Sequence, residues 1–261
     1  MSITDTKTQY KTPANFKSRS NLHAKYASQN WQLWLAQRIH MPACRDVLDI
    51  GCGTGGFWRA AVDTYPESLS LTLLDSAEAM LDEAVKTVTS AGHYRAVRGV
   101  LANAMQLPFE GGRFDALCAM HMLYHLPEPA QALGEMRRVL RPGGCIAITT
   151  SGRDNLRALH ALSAQVFGGA GVDPAAATFG PADAEALLAD GFKDIKTEVL
   201  RDPYAVTDHR DLMYYLCSFP PASDASEDQL AQLEKLIIEK MNASGGVFHL
   251  RTEAALITAR A

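Results

Sequence analysis

The stretch Val47-Leu48-Asp49-Ile50-Gly51-Cys52-Gly53-Thr54-Gly55-Gly56 constrains this chain more than any other. It reads as a short buried strand running into a glycine-rich turn. Phe57-Trp58-Arg59-Ala60-Ala61-Val62 then opens a helix. Glycine has no Cβ, so such a turn can fold sharply and let backbone approach a ligand. Helix N-termini add unpaired N–H donors. A cofactor lying across this turn is the first expectation.

The next hundred or so residues repeat the strand–helix pattern. Leu69 to Asp75 predicts a second strand ending in a carboxylate, and Ser76 is placed to cap the helix carrying Met80, Leu81, Ala84, Val85 and Val88. Tyr94 to Val100 predicts a third strand and Phe114 to Met120 a fourth, nearly all apolar as buried parallel strands are. A helix with Leu133, Met136, Val139 and Leu140 leads through Arg141-Pro142-Gly143-Gly144 to a fifth strand, Cys145 to Thr150. Strand–helix alternation of this kind specifies right-handed parallel crossovers with helices on both faces. Ligands then bind beyond the carboxyl ends of the strands, here Asp49, Asp75, Asn103, Met120 and Thr150.

The flanks are less regular. Asn15 to Ile39 predicts a largely helical lead-in rich in aromatic residues: Phe16, Tyr26, Trp31 and Trp34. These rings either cover the core or form one wall of a substrate pocket. Ile195 to Leu200 predicts a sixth strand and Val247 to Ala259 a last one. Between them lies an insertion of about forty residues, long for a plain connection and read as a lid with Tyr204, Tyr214, Tyr215 and Phe219. With no repeat or linker in 261 residues, a single domain over 1–261 is expected. Its core spans about 43–153, 181–202 and 246–261, and its cap elements about 1–40, 154–180 and 203–245.

Charge and cysteine usage narrow the partners. The net charge of -4, without a long Lys/Arg run, makes nucleic acid an unlikely partner. The five cysteines show neither a disulfide framework nor zinc spacing. The polar N-terminus and the lack of any membrane-length apolar run make a cytoplasmic location the simplest expectation. Oligomeric state is left open.

Gly51-x-Gly53-x-x-Gly56 fits a dinucleotide fingerprint by letter, a weak match alone. Asp49 stands inside the motif, however, where a negative charge would oppose a pyrophosphate and favour a cationic amino-acid group. Together with Asp75, Leu107-Pro108-Phe109, Phe114-Asp115, the run His121 to His125 and Leu140 to Gly144, this stretch resembles the class I S-adenosylmethionine-dependent methyltransferases. The likeness is to their small-molecule (type 11) subgroup and runs from about Arg45 to Thr150. It implies a Rossmann-like three-layer sandwich with a seven-stranded, mostly parallel sheet and an antiparallel last strand, carrying the helical lead-in and lid. It also implies S-adenosylmethionine as cofactor. Asp49 and the turn amides of Gly51, Cys52 and Gly53 would then hold its amino-acid end, with Tyr26 as a further contact. Asp75, followed by Ser76, would take the ribose hydroxyls, Met80 an adenine face, and Asn103, Ala104 and Met105 the adenine slot. Met120 and His121 would face the sulfonium.

A sulfonium methyl is already activated, so the protein mainly positions an acceptor and excludes water. If a base is used, His125 is preferred, then His121, with His209 in the lid a weaker alternative; histidines near neutrality suit that task. The i, i+4 spacing of His121 and His125 is equally compatible with a structural role. No metal is expected, because no third ligand accompanies them. The expected activity is methyl transfer to an oxygen or nitrogen of a small aromatic or heterocyclic metabolite, of the kind found in secondary metabolism. Phe16, Trp31, Trp34, Tyr204, Tyr214 and Phe219 are the expected substrate contacts. An NAD-dependent oxidoreductase and a non-methylating member of the same fold are the alternatives.

Overall fold

The computed structural model describes residues 14–41 and 44–261. Five strands, β1 (Asp46–Ile50), β2 (Ser70–Asp75), β3 (Ala96–Leu101), β4 (Phe114–Met120) and β5 (Leu140–Ser151), run parallel. β6 (Lys193–Val206) and β7 (Phe248–Arg260) complete one seven-stranded sheet of order β3-β2-β1-β4-β5-β7-β6, with β7 antiparallel to both neighbours. The expected Rossmann-like sheet with an antiparallel last strand is therefore present. The reversal of strand order at β1 and β4 opens a crevice beyond their carboxyl ends, where ligands of such sheets bind.

Strand alternation decides what each face of β1 does. Leu48 and Ile50 are fully buried in a cluster with Met136 of α5 (Pro129–Val139) and Leu188 of α8 (Pro181–Ala189). Burying each such side chain is worth about 1.5–3 kcal/mol. Val47 points the other way, into a cluster with Trp58 of α3 (Gly56–Ala60), Leu81 of α4 (Glu78–Thr89) and Leu35 of α2 (Trp31–Ala36). Asp49 shares the Val47 face, so its carboxylate faces α3.

Three boundaries differ from expectation, the first being β5, which begins at Leu140 and takes in the Arg141–Gly144 stretch expected as a break. The lead-in is two helices, α1 (Ala14–Tyr26) and α2, because the Asn30 side chain accepts from the amides of Gln32 and Leu33 and starts a new helix. β6 continues to Val206 instead of stopping near Leu200, pairing residue by residue with the start of β7. Tyr204 is accordingly a strand residue, and the lid begins later than position 203.

That extension builds the cap. Ser151, the last residue of β5, pairs with Ala254, so the end of β6 and the start of β7 project past the carboxyl edge of the parallel strands. A third apolar cluster gathers on the projection. It takes Leu22 from α1, Leu159 from α6 (Arg157–Phe167), Leu212 from α9 (His209–Leu216), Leu233 from α10 (Glu227–Asn242) and Phe248 from β7. The short α7 (Pro174–Thr178) lies between α6 and α8 in the chain. Among the described residues no helix is long and apolar enough to cross a membrane.

Candidate functional site

The glycine turn is held by the neighbouring strand. The amides of Gly51 and Cys52 donate to the Leu74 carbonyl at 2.8 and 3.1 Å, and that of Gly53 to Asp75 Oδ2 at 3.1 Å. These three amides, expected to face a ligand, are instead spent on fixing the turn. Gly51 has φ +68°, and a Cβ there would come within 2.8 Å of the Met122 Cβ. A side chain at this position is excluded both by backbone strain and by that contact.

Asp49 is 3% exposed. Trp58 Nε1 donates to its Oδ2 at 2.8 Å, while Oδ1 has no hydrogen-bond partner among the described residues. Burial pushes this carboxyl up to about 7; the Trp58 bond opposes the shift and the nearby Asp75 charge adds to it. A buried carboxylate with a free oxygen is built to receive one more donor, best a cation.

Asp75 ends β2 as expected. Its Oδ1 accepts from the Ala77 amide at 3.0 Å and its Oδ2 from Gly53. Burial raises its pKa, against these backbone donors. A carboxylate has about four acceptor sites, so both oxygens can still take a ligand hydroxyl. Ser76 is exposed and caps nothing; Ala77 is the N-cap of α4, and Asp75 supplies the bond. Met80 is buried beneath the turn, its Cε 3.9 Å from where a Gly53 Cβ would stand. Asn103 is exposed and its amide oxygen accepts from the Met105 amide at 2.9 Å. Ala104 is buried and Met105 half-buried beside it.

At the end of β4, half-buried Met120 is followed by His121, held at φ +51° while its amide donates to Thr149 O and Oγ1. A non-glycine residue there stores strain. Because of this kink, His121 and His125 are not on one helix; a separate 3₁₀ turn covers Leu123–His125. Burial pushes both imidazoles down to about 4, with the Arg19 charge adding to the shift at His125. Both rings are neutral at physiological pH, well below the near-neutral range expected of a base. His209 bridges to Glu234 at 3.0 Å on the half-exposed cap.

The expected aromatic wall divides. Trp31 meets His121 edge-on, ring centroids 5.5 Å apart, so it belongs to the strand-end crevice. Trp34 lies under the Arg38 guanidinium at 4.2 Å and packs on the sheet cluster, as core cover. Tyr26 donates to Asp211 at 2.6 Å, which ties α1 to α9 and occupies the hydroxyl proposed for a cofactor. Tyr204 is buried, its hydroxyl 2.9 Å from His23 Nδ1. Tyr214 is 63% exposed and is no pocket residue; Tyr215 takes the inward position, 5.4 Å from Phe219. The Phe16 side chain lies outside the described residues.

Sequence reasoning missed several groups. Trp58 could have been found, since strand alternation turns Asp49 toward α3. Met122, His23, His160 and Asp173 carry no local signal. The buried Asp173 carboxylate bears electrostatically on His23, His121 and His160 together. These side chains come from α1, the β4 end, and α6 with the loop before α7, which lie far apart in the chain. Among the described residues no three His, Cys, Asp or Glu side chains converge as metal ligands.

Residues 47–144 match the family model described as "Methyltransferase domain". A demethylmenaquinone methyltransferase of Lactiplantibacillus plantarum is 32% identical over 141 residues, 54% of this chain and 60% of that protein. Matches to curated relatives thus span about half of their length, 40% in the case of the methyltransferase GfsG of Streptomyces halstedii, 36% identical. Among solved structures, phosphoethanolamine N-methyltransferase 2 of Haemonchus contortus, in complex with S-adenosyl-L-methionine, superposes with a TM-score of 0.59 at 19% identity. That match covers 97% of this chain and 58% of that one. The [4+2]-cyclase SpnF superposes at 0.57 and 18% identity, covering 97% and 95%. At these identities the structures share the fold.

Proposed function

We propose that this chain, whose residues 47–144 match a methyltransferase domain, is an S-adenosylmethionine-dependent methyltransferase acting on a small molecule. The observation that carries the reading is the pair of strand-end carboxylates. Asp49 keeps one buried oxygen unpaired, and Asp75 keeps acceptor sites on both oxygens. This donor-seeking set fits a ligand with a cationic amino group at one end and a vicinal diol nearby. It does not fit a pyrophosphate against the glycine turn, where Asp49 would repel it and the Gly51 to Gly53 amides are already used. The NAD-dependent alternative therefore loses these three amides as phosphate donors.

The cofactor, when bound, supplies a methyl group already activated on a sulfonium. The protein's own contribution is position and exclusion of water. Asp49 binds the cationic end, and Asp75 orients the diol. Met80 packs below the turn. His121, strained into place and flanked by Trp31, lines the crevice where the acceptor meets the β4 end. His125, neutral by burial, takes a proton from an acceptor oxygen or nitrogen as the new bond forms, but as a weak base, since burial holds its pKa at about 4 and most of the activation comes from the sulfonium itself. Trp31, edge-on to His121 at the β4 end, supports an aromatic or heterocyclic acceptor. The same reading takes 1–261 as one domain, because the cap cluster is assembled on β6 and β7 of the sheet itself.

Incubation with methyl-tritiated S-adenosylmethionine and a library of phenols and N-heterocycles tests this. Transfer of label to a low-molecular-weight acceptor supports the reading. Binding of the cofactor without transfer to any acceptor would favour a non-methylating role, for which the superposition on SpnF is the specific support.

A further inference from the structure

Four rings stand in a row at the carboxyl end of β4. Trp31 of α2 meets His121 edge-on at 5.5 Å, His121 tilts against Tyr124 at 6.3 Å, and Tyr124 meets His125 edge-on at 4.5 Å between ring centroids. All four residues are half-buried, whereas Met122 and Leu123, between them in the chain, are buried in the core. The left-handed backbone at His121 makes this division: φ +51° ends the strand, and the 3₁₀ turn Leu123–His125 follows. The rings are thus kept part-open at a strand end, where ligands of such sheets bind.

The row abuts the glycine turn. Asp49 stands opposite Cys118 in the β1–β4 register, and a Cβ on Gly51 would come within 2.8 Å of the Met122 Cβ. Met122 follows His121 directly and precedes the turn that carries Tyr124, so the contact with Gly51 falls inside the span of the row. Trp and Tyr faces are negative and attract a cation held within about 6 Å of the ring centroid. The two imidazoles add no opposing charge, because burial keeps both neutral at physiological pH. Fixed charges favour the Trp31 end, since the Asp173 carboxylate acts on His121 and the Arg19 guanidinium on His125.

We propose that the Trp31 and Tyr124 rings, set on either side of His121, recognise the positive charge of the methyl donor, so that this site prefers S-adenosylmethionine to its neutral product. The proposal rests on the methyl-transfer reading and deepens it. In S-adenosylmethionine the sulfonium lies between the amino-acid end and the ribose, hence between the groups assigned to Asp49 and Asp75. Methyl transfer forms the new bond to the acceptor and leaves the old C–S electron pair on sulfur, which becomes a neutral thioether. The rings then lose the cation they attract, and the product is held less tightly than the donor was.

The test titrates three ligands by calorimetry into the protein without acceptor. They are S-adenosylmethionine, S-adenosylhomocysteine, and sinefungin, which carries an ammonium group in place of the methylated sulfonium. The wild type is expected to bind each cationic ligand about fivefold or more tightly than S-adenosylhomocysteine. Trp31→Leu should weaken both cationic ligands by about that factor and change S-adenosylhomocysteine by less than about twofold. Tyr124→Leu should act in the same direction, while Tyr124→Phe, which keeps the ring, should keep the preference. The proposal is overturned if either cationic ligand binds the wild type no better than S-adenosylhomocysteine. It is equally overturned if the preference survives in both leucine variants, or if they weaken all three ligands alike, as a loss of packing would. Failure of all three ligands to bind the wild type would instead overturn the methyl-transfer reading beneath it.

Discussion

Replacing Asp49 by Asn isolates the electrostatic cost of the site. The carboxyl is pushed from 3.8 to about 7 by burial, against the bond from Trp58. A folded-state pKa above the unfolded one means that the folded protein holds the proton more tightly. Stability is then full below about pH 4 and falls as pH rises toward 7, by about 1.4 kcal/mol per unit. Between pH 5 and 8 the wild type loses two of these units, about 3 kcal/mol. Asn has no charge to desolvate, and its amide oxygen can keep the Trp58 bond. The difference in stability between Asp49→Asn and wild type should therefore grow in favour of the variant by about 3 kcal/mol between pH 5 and 8. For a chain of this size that is a relative gain of about 6–12 °C in unfolding temperature. Calorimetric or circular-dichroism melting at the two pH values measures it, and other titrating groups cancel in the difference. A difference that does not change with pH would refute the claim that Asp49 is buried as an under-solvated acid. The same substitution should weaken S-adenosylhomocysteine binding, so stability and function would move in opposite directions.

The same geometry sets further outcomes. Asp75→Ala should weaken S-adenosylhomocysteine by more than tenfold, about 1.4 kcal/mol, in titration calorimetry; unchanged affinity in a folded variant would remove Asp75 from the cofactor site. Gly51→Ala places a Cβ 2.8 Å from Met122 at φ +68° and should destabilise by about 1–3 kcal/mol in urea unfolding. If His125 is the base, it must be neutral to act, and with its pKa at about 4 activity persists from pH 8 down to pH 6. A limb in the rate profile near 6.5 that disappears in His125→Gln would show an unburied histidine instead.

The parallel strands were legible because burial on both faces leaves unbroken apolar runs such as Phe114 to Met120. Where pairing rather than composition sets the limit, the reading stopped short. Residues 201–206 alternate exposed and buried as a half-covered strand does, but the buried set opens with Asp202 and Pro203 interrupts the run, so only the pairing with β7 reveals the strand. The carboxylates Asp49 and Asp75 were readable from their places at strand ends. The direction of the turn amides was not, since it depends on the Leu74 carbonyl of the adjacent strand. His121 and His125 looked like a helical pair by spacing, and a single left-handed residue cancels that geometry. Tyr214 and Tyr215 are equivalent in composition; the packing of α9 on the cap sends one to solvent and the other inward. The histidines that feel the Asp173 charge, His23, His121 and His160, stand on α1, the β4 end and α6, which are far apart in the chain and carry no shared motif.

The central claim is that the Asp49–Asp75 strand ends hold S-adenosylmethionine. Titration calorimetry of S-adenosylhomocysteine into the wild-type protein tests it most directly. One site per chain is predicted, with a dissociation constant in the micromolar range, about -8 kcal/mol. No heat of binding at about millimolar ligand, above about -4 kcal/mol, would contradict it.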